Sequence, residues 1–166
     1  QEFGPIHRHT RRITLNILKK IKFNTVLDAG CGIGFMLNCI KKYFNPVSLT
    51  GIDISEEAIN ICKSIYPNYI FYVKDLQKEL LNQKFDLIIC MDVIEHIEND
   101  SEFLKNISSM CNKYFLISTL LGRMRNFEKS IGHFRNYNKD ELVRLLESQG
   151  FKIKFLRRWG FPLYSP

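Results

Sequence analysis

Residues 25–34 read Thr25-Val26-Leu27-Asp28-Ala29-Gly30-Cys31-Gly32-Ile33-Gly34, and the rest of the chain is organised around them. A short apolar run ends in an acid, Asp28, and glycines follow at 30, 32 and 34 before the apolar Phe35-Met36-Leu37. This order reads as a buried strand, a tight glycine turn and the first turn of a helix. A parallel sheet presents a nucleotide-like ligand in this way, beyond the carboxyl end of its first strand. Glycine suits the turn because it reaches positive φ cheaply and exposes bare backbone to a ligand.

Working outward, strand and helix patterns alternate. Residues 7–21 place Ile13, Ile17, Leu18 and Ile21 on one helical face. A helix from Ile33 to Phe44 ends before Asn45-Pro46, where proline forbids continuation. Ser48 to Asp53 reads as a second strand ending in an acid. Ser55 then caps a helix whose apolar stripe is Ala58, Ile61, Cys62 and Ile65. Tyr69 to Val73 is a third strand, closed by Lys74-Asp75-Leu76. Phe85 to Met91 is almost continuously apolar, as a central parallel strand covered on both faces must be. Asp92-Val93-Ile94-Glu95-His96 follows it. A helix over 100–111, a fifth strand over Tyr114–Thr119 and an unpatterned basic loop over Leu120–Tyr137 come next. Asn138 and Glu141 have capping-box spacing for a helix that Gly150 ends, and Phe151–Leu156 reads as a sixth strand. The expected fold is therefore α/β: a doubly wound, Rossmann-like, mostly parallel sheet with helices on both faces. One domain spanning 1–166 is expected.

Composition narrows the class. Hydrophobic residues at 45% and charged residues at 25% are ordinary for a globular domain. No apolar run approaches the roughly 20 residues of a membrane helix, and no secretory signal is evident, so a cytoplasmic location is expected. The five cysteines are odd in number and lack CxxC spacing, which predicts free buried thiols rather than a zinc or disulfide framework. The net charge of +7 divides into +5 over 1–23, −4 over 24–121 and +6 over 122–166. The basic ends read either as solvated faces or as flanks of an anionic substrate.

Asp53 lies about 20 residues past the glycine turn, where a carboxylate can accept bonds from two ribose hydroxyls. The spacing Gly30-x-Gly32-x-Gly34 is not that of a pyrophosphate site, and Asp28 and Asp75 would repel a diphosphate. A phosphate-free adenosyl cofactor carrying positive charge fits better.

With these motifs in order, the sequence resembles the class I S-adenosylmethionine-dependent methyltransferases over nearly its whole length. Val26 to Gly34 matches the family's first motif, Gly51-Ile52-Asp53-Ile54-Ser55 its second, Val73-Lys74-Asp75-Leu76 its third, and Phe85 through His96 its fourth. His133-Phe134-Arg135-Asn136-Tyr137 before the capped helix is similar to the type 11/type 23 small-molecule branch. The resemblance implies S-adenosyl-L-methionine as cofactor and S-adenosyl-L-homocysteine as product. It places Asp28, Gly30, Cys31, Gly32, Gly34, Asp53, Ile54, Asp75, Leu76, Met91 and Asp92 against the cofactor. Arg12 joins them on an opening segment, 1–23, that acts as a lid, and 120–138 becomes the substrate-side loop. It also implies a seventh, antiparallel strand inserted between the fifth and the sixth, and with the sequence stopping at Pro166 just after the sixth, that strand is expected to be missing or truncated.

His96 and His133 are the candidate catalytic groups, since imidazole is a base near neutrality. Each also reads as structural: His96 bonding a neighbouring loop, His133 anchoring its own with Arg135 and Tyr137. Asp92, Glu95 and His96 resemble a divalent-metal set of quinone-type O-methyltransferases, although no metal is expected. The expected reaction is methyl transfer by in-line displacement to a small, anionic molecule, with oxygen as acceptor atom. Two other functions stay open. A nucleic-acid methyltransferase would explain the basic ends but lacks the Asn/Asp-Pro-Pro-aromatic signature. A non-catalytic cofactor-binding partner subunit would share every motif.

Overall fold

A computed structural model describes the backbone over residues 5–158 and the side chains over 8–158. Helix α1 (Pro5–Leu18) precedes β1 (Thr25–Ala29), α2 (Phe35–Phe44), β2 (Ser48–Asp53), α3 (Glu56–Ile65) and β3 (Ile70–Val73). Then come β4 (Phe85–Met91), a 3₁₀ turn (Ile94–His96), α4 (Asp100–Met110), β5 (Cys111–Ser118), α5 (Asn126–Ser130) and α6 (Lys139–Ser148). The strands form one parallel sheet in the order β3-β2-β1-β4-β5. The order reverses beside β1, so β1 and β4 diverge to the two halves and open a crevice at their carboxyl ends.

Successive side chains of a strand face opposite sides, and the sheet uses both. Leu27, Ile52, Ile88 and Cys90 pack under α4 and α6 with Phe103, Leu104, Ile107 and Leu146. Val26, Leu49, Phe71, Leu87 and Ile89 pack on the other side with Leu18 of α1, Leu37 and Ile40 of α2, and Ile59 and Cys62 of α3. At the opposite edge, the amino ends are tied by Asp86. Its carboxylate accepts from Asn24 N (2.9 Å), Asn112 Nδ2 (3.1 Å) and Lys113 Nζ (2.9 Å). The Lys113 ammonium and the Asn24 amide hold its pKa down to about 2.

The caps read from sequence form. Ser55 Oγ accepts from Ala58 N (3.2 Å), and Asn138 with Glu141 makes the capping box of α6. Three expectations fail. The stripe of α3 is Ile59 and Cys62, while Ile61 and Ile65 face outward, 39% and 56% exposed. The long loop contains α5 and a bridge pairing Leu121 with Tyr137. The sixth strand does not form: residues 151–158 have no ladder. That segment lies beside β5 through side chains alone, Phe151 against Phe115 (5.0 Å) and Lys154 over Tyr114 (5.3 Å). Alternating apolar residues supply such contacts without requiring the backbone pairing that defines a strand. Among the described residues the sheet therefore has five strands.

Candidate functional site

The glycine turn sits at the carboxyl edge of β1. Gly30 N and Cys31 N both donate to Ile52 O (2.8 and 2.9 Å), fastening the turn to β2. Gly30 has φ 84°, and a Cβ there would run into Val93, whose Cγ1 would lie at 3.0 Å. Gly32 has φ 50°, and a Cβ there would meet nothing within 4 Å. The two glycines therefore differ in purpose: Gly30 lets the turn pack against the β4 end, and Gly32 leaves backbone facing open space. Gly34 ends the turn at φ 76° as the residue before α2. Cys31 is 8% exposed, and its thiol with that of Cys62 (3.2 Å) points at Gly32 O.

The carboxylates flank this turn. Asp53 Oδ2 accepts from Gly32 N (2.7 Å) and Oδ1 from Ser55 N (2.9 Å), so each oxygen keeps a free lone pair. Ile54 beside it is 70% exposed at the same edge. Asp28 is 2% exposed, and among the described residues no donor bonds its carboxyl. Burial, reinforced by the charge of Asp53, raises its pKa to about 8. A buried carboxyl in this state is relieved by holding its proton.

Asp75 is already engaged, with Gln77 N (3.0 Å) and Gln77 Nε2 (3.2 Å) on Oδ1 and Lys78 Nζ (3.0 Å) on Oδ2. Leu76 is 6% exposed and belongs to the core beneath β1 and β2. Met91 ends β4 at the cleft wall, and Asp92 takes φ 55°, sparsely populated for a residue with a side chain. Asp92 N donates to Ser118 O (3.0 Å) and Ser118 Oγ donates to Asp92 Oδ1 (2.8 Å), which hold that conformation.

His96 and His133 converge, their rings edge to face at 4.4 Å. His96 Nδ1 lies 3.2 Å from Gly132 O. A carbonyl only accepts, so Nδ1 carries the proton and the lone pair is left at Nε2. Burial and the neighbouring His133 lower the His96 pKa, which keeps the ring neutral at pH 7. Nδ1 of His133 is buried without a hydrogen-bond partner among the described residues. Glu95 is 1% exposed, accepts from Thr119 Oγ1 (2.8 Å), and is pushed up in pKa by burial. The described residues bring no three His, Cys, Asp or Glu together as a metal cluster.

The loop is anchored rather than loose. Glu128, 4% exposed, accepts from Arg125 N (2.6 Å) and Asn136 Nδ2 (3.0 Å), and Phe134 N donates to Glu95 O (2.8 Å). Arg135 and Tyr137 serve this anchoring: Arg135 NH1 pairs with Asp100 (2.5 Å), and the Tyr137 hydroxyl donates to Asp100 Oδ2 (2.8 Å).

One open depression of about 2190 Å³ joins these parts and continues along β5 to residues 150–158. It runs from the inner face of α1 past Asp28, the glycine turn, Met91 and Asp92 to His96, His133, Arg123 and Arg125. Arg12 does not line it; the exposed Arg12 lies by its own His9 (3.2 Å). Arg11 takes that place, its guanidinium 5.0 Å over the Phe35 ring. Helical spacing alone does not separate the two, since at about 100° per residue positions 11 and 12 both lie well off the Ile13–Ile17 direction; what distinguishes Arg11 is the Phe35 ring that it reaches. The burial of Glu95 and Glu128 had no signal in sequence, since it depends on how the loop closes over β4.

Comparison with known proteins agrees with this architecture. A family model described as a methyltransferase domain matches residues 5–154. The ubiquinone biosynthesis O-methyltransferase of Rickettsia bellii is 36% identical over 119 residues, which is 64% of this chain and 48% of that protein. The chain thus spans about half the length of such curated relatives. The N-methyltransferase NodS of Bradyrhizobium japonicum, solved with S-adenosylhomocysteine, superposes with a TM-score of 0.72 at 17% identity, covering 87% of this chain and 75% of its own. The O-methyltransferase of a Brevibacillus brevis trans-AT polyketide synthase, also solved with S-adenosylhomocysteine, gives 0.70 at 21% identity, covering 87% and 55%. With the family match spanning all five strands and both flanking helical layers, the chain belongs to the class I S-adenosylmethionine-dependent methyltransferases.

Proposed function

We propose that this domain transfers the methyl group of S-adenosyl-L-methionine to an oxygen nucleophile on a small anionic acceptor. The observation that carries the reading is the buried Asp28 on the same cleft as the open space at the Gly32 Cα. That pair suits a ligand with a cationic, phosphate-free end lying along the turn. Asp53, with two spare lone pairs, suits vicinal hydroxyls, and the exposed Ile54 offers apolar cover to a flat ring. Asp75 retains lone pairs for an amino group, while Leu76 contributes by supporting this edge from the core. Helix α1 acts as the lid, with Arg11 rather than Arg12 on its inner side.

When bound, the cofactor supplies an electrophilic methyl on sulfur. Nε2 of His96, whose lone pair is left free because Nδ1 faces Gly132 O, would take up the proton of the acceptor oxygen as it is methylated. A positioned base of this kind contributes typically about 10²–10⁴-fold. His133 packs edge-on against His96 and restricts its ring. Arg123 and Arg125 on the cleft wall favour a negatively charged acceptor. The oxygen assignment draws support from the O-methyltransferase name of the Rickettsia relative.

The test uses methyl-labelled cofactor with pools of hydroxylated organic acids, amines and nucleic acid in parallel. Label recovered as a methyl ether of an acid supports the assignment. Label on nitrogen or on nucleic acid would replace it.

A further inference from the structure

We infer that Gln77 is a positioning residue for the base of the cofactor: its side-chain amide aims Asp75 so that the site selects a 6-amino purine over a 6-oxo purine. The turn after β3 is fastened to α4 at two points. Asn106 Nδ2, on a residue 7% exposed, donates to Leu76 O (2.9 Å), and Asn99 N donates to Gln77 Oε1 (3.0 Å). Asn99 caps α4, and Asp100 beside it is braced by Arg135 and Tyr137. A backbone N–H only donates, so Gln77 Oε1 must face Asn99 N and Nε2 is turned to Asp75.

Gln77 N (3.0 Å) and Gln77 Nε2 (3.2 Å) both donate to Asp75 Oδ1 and fill its acceptor positions. Oδ2 meets the ammonium of Lys78 (3.0 Å), whose side chain is 79% exposed, so that pair is weak and gives way to a better placed donor. Burial opposes the charge of Asp75, but the bonds from Gln77 and Lys78 outweigh it and lower its pKa, so the group is a carboxylate at neutral pH. A carboxylate with one oxygen filled and the other open accepts an N–H and repels a carbonyl oxygen. Adenine presents an amino group at its position 6, and hypoxanthine presents a carbonyl there. A side chain that only braced the turn would need the Asn99 bond alone, whereas the other end of this amide lies on the carboxylate. The inference rests on the adenosyl reading above, in which Asp75 takes the amino group.

The test is calorimetric titration of the parent and two variants with S-adenosylhomocysteine and with S-inosylhomocysteine, its 6-oxo counterpart. The parent should bind the adenosyl ligand about 100-fold more tightly than the inosyl one. Gln77→Leu removes both side-chain bonds, while Gln77→Glu keeps an acceptor for Asn99 N and removes the donor to Asp75. In each variant the preference should fall to about tenfold or less, through loss of adenosyl affinity. If Gln77→Leu does not fold, Gln77→Glu, which retains the tie to α4, carries the comparison. An unchanged preference in the variants, both ligands weakened by the same factor, or a parent that binds the two equally would overturn this inference and leave the methyl-donor reading standing. A folded parent that binds neither ligand would overturn that reading and this inference together.

Discussion

Replacing Asp28 by Asn tests the electrostatic basis of the site. With a pKa of about 8, the buried carboxyl is protonated in about nine molecules of ten at pH 7. A cationic ligand seated beside it favours the ionised form, so binding expels that proton. The ligand's own α-amino group, with an ordinary pKa of about 7.8, takes up about 0.1 proton when it binds as ammonium. The net release at pH 7 is therefore about 0.8 proton per cofactor. Calorimetric titration with S-adenosylmethionine in buffers of differing ionisation enthalpy measures this number directly. In Asp28→Asn the release should vanish, leaving an uptake of about 0.1, and affinity should fall roughly 10- to 100-fold. The same acid also shapes stability. Its folded pKa lies above its unfolded value of 3.8, so its contribution is full below pH 3.8 and lost as pH rises through 8. In that window the slope is up to about 1.4 kcal/mol per pH unit, and the variant should flatten it. Zero proton release by a wild-type protein that binds, or equal release from the variant, would refute the assignment of Asp28.

Other perturbations separate the parts of the site. Gly30→Ala should cost about 2–4 kcal/mol in denaturant unfolding, partly recovered by adding Val93→Ala, because its Cβ meets that side chain at positive φ. Gly32→Ala meets nothing, so it should cost only about 1 kcal/mol of stability yet weaken cofactor binding about tenfold. His96→Ala should lower kcat about 10²–10⁴-fold with cofactor affinity unchanged. In the parent, activity should rise with pH through an inflection below 6.5, the sign expected when burial lowers the pKa of a required neutral base.

Much of the frame was legible because it rests on local rules. An apolar run, an acid and three glycines determine a strand and turn whatever surrounds them, and Ser55 and Asn138 cap helices through their own backbone neighbours. What escaped depended on tertiary closure. Phe151–Leu156 has the alternation of a strand, yet a strand exists only through a partner's ladder, and here side chains alone meet β5. The outward Ile61 and Ile65 of α3 depart from the apolar pattern because only Ile59 and Cys62 reach the sheet. In the candidate site, Asp28 and Asp53 follow from strand ends, whereas the tautomer of His96 follows from Gly132, 36 residues away. No local pattern encodes that contact. The anchoring role of Arg135 and Tyr137 likewise depends on Asp100, which only the folded chain brings to them.

The glycine turn and its carboxylates are predicted to hold the methyl donor. Calorimetric titration of the folded domain with S-adenosylmethionine measures this directly, alongside Asp53→Ala checked for an unchanged circular dichroism spectrum. Saturable one-site binding by the parent, weakened by about 10- to 100-fold in Asp53→Ala, is the predicted result. No heat of binding from folded parent protein, or the same affinity in the variant, would contradict it.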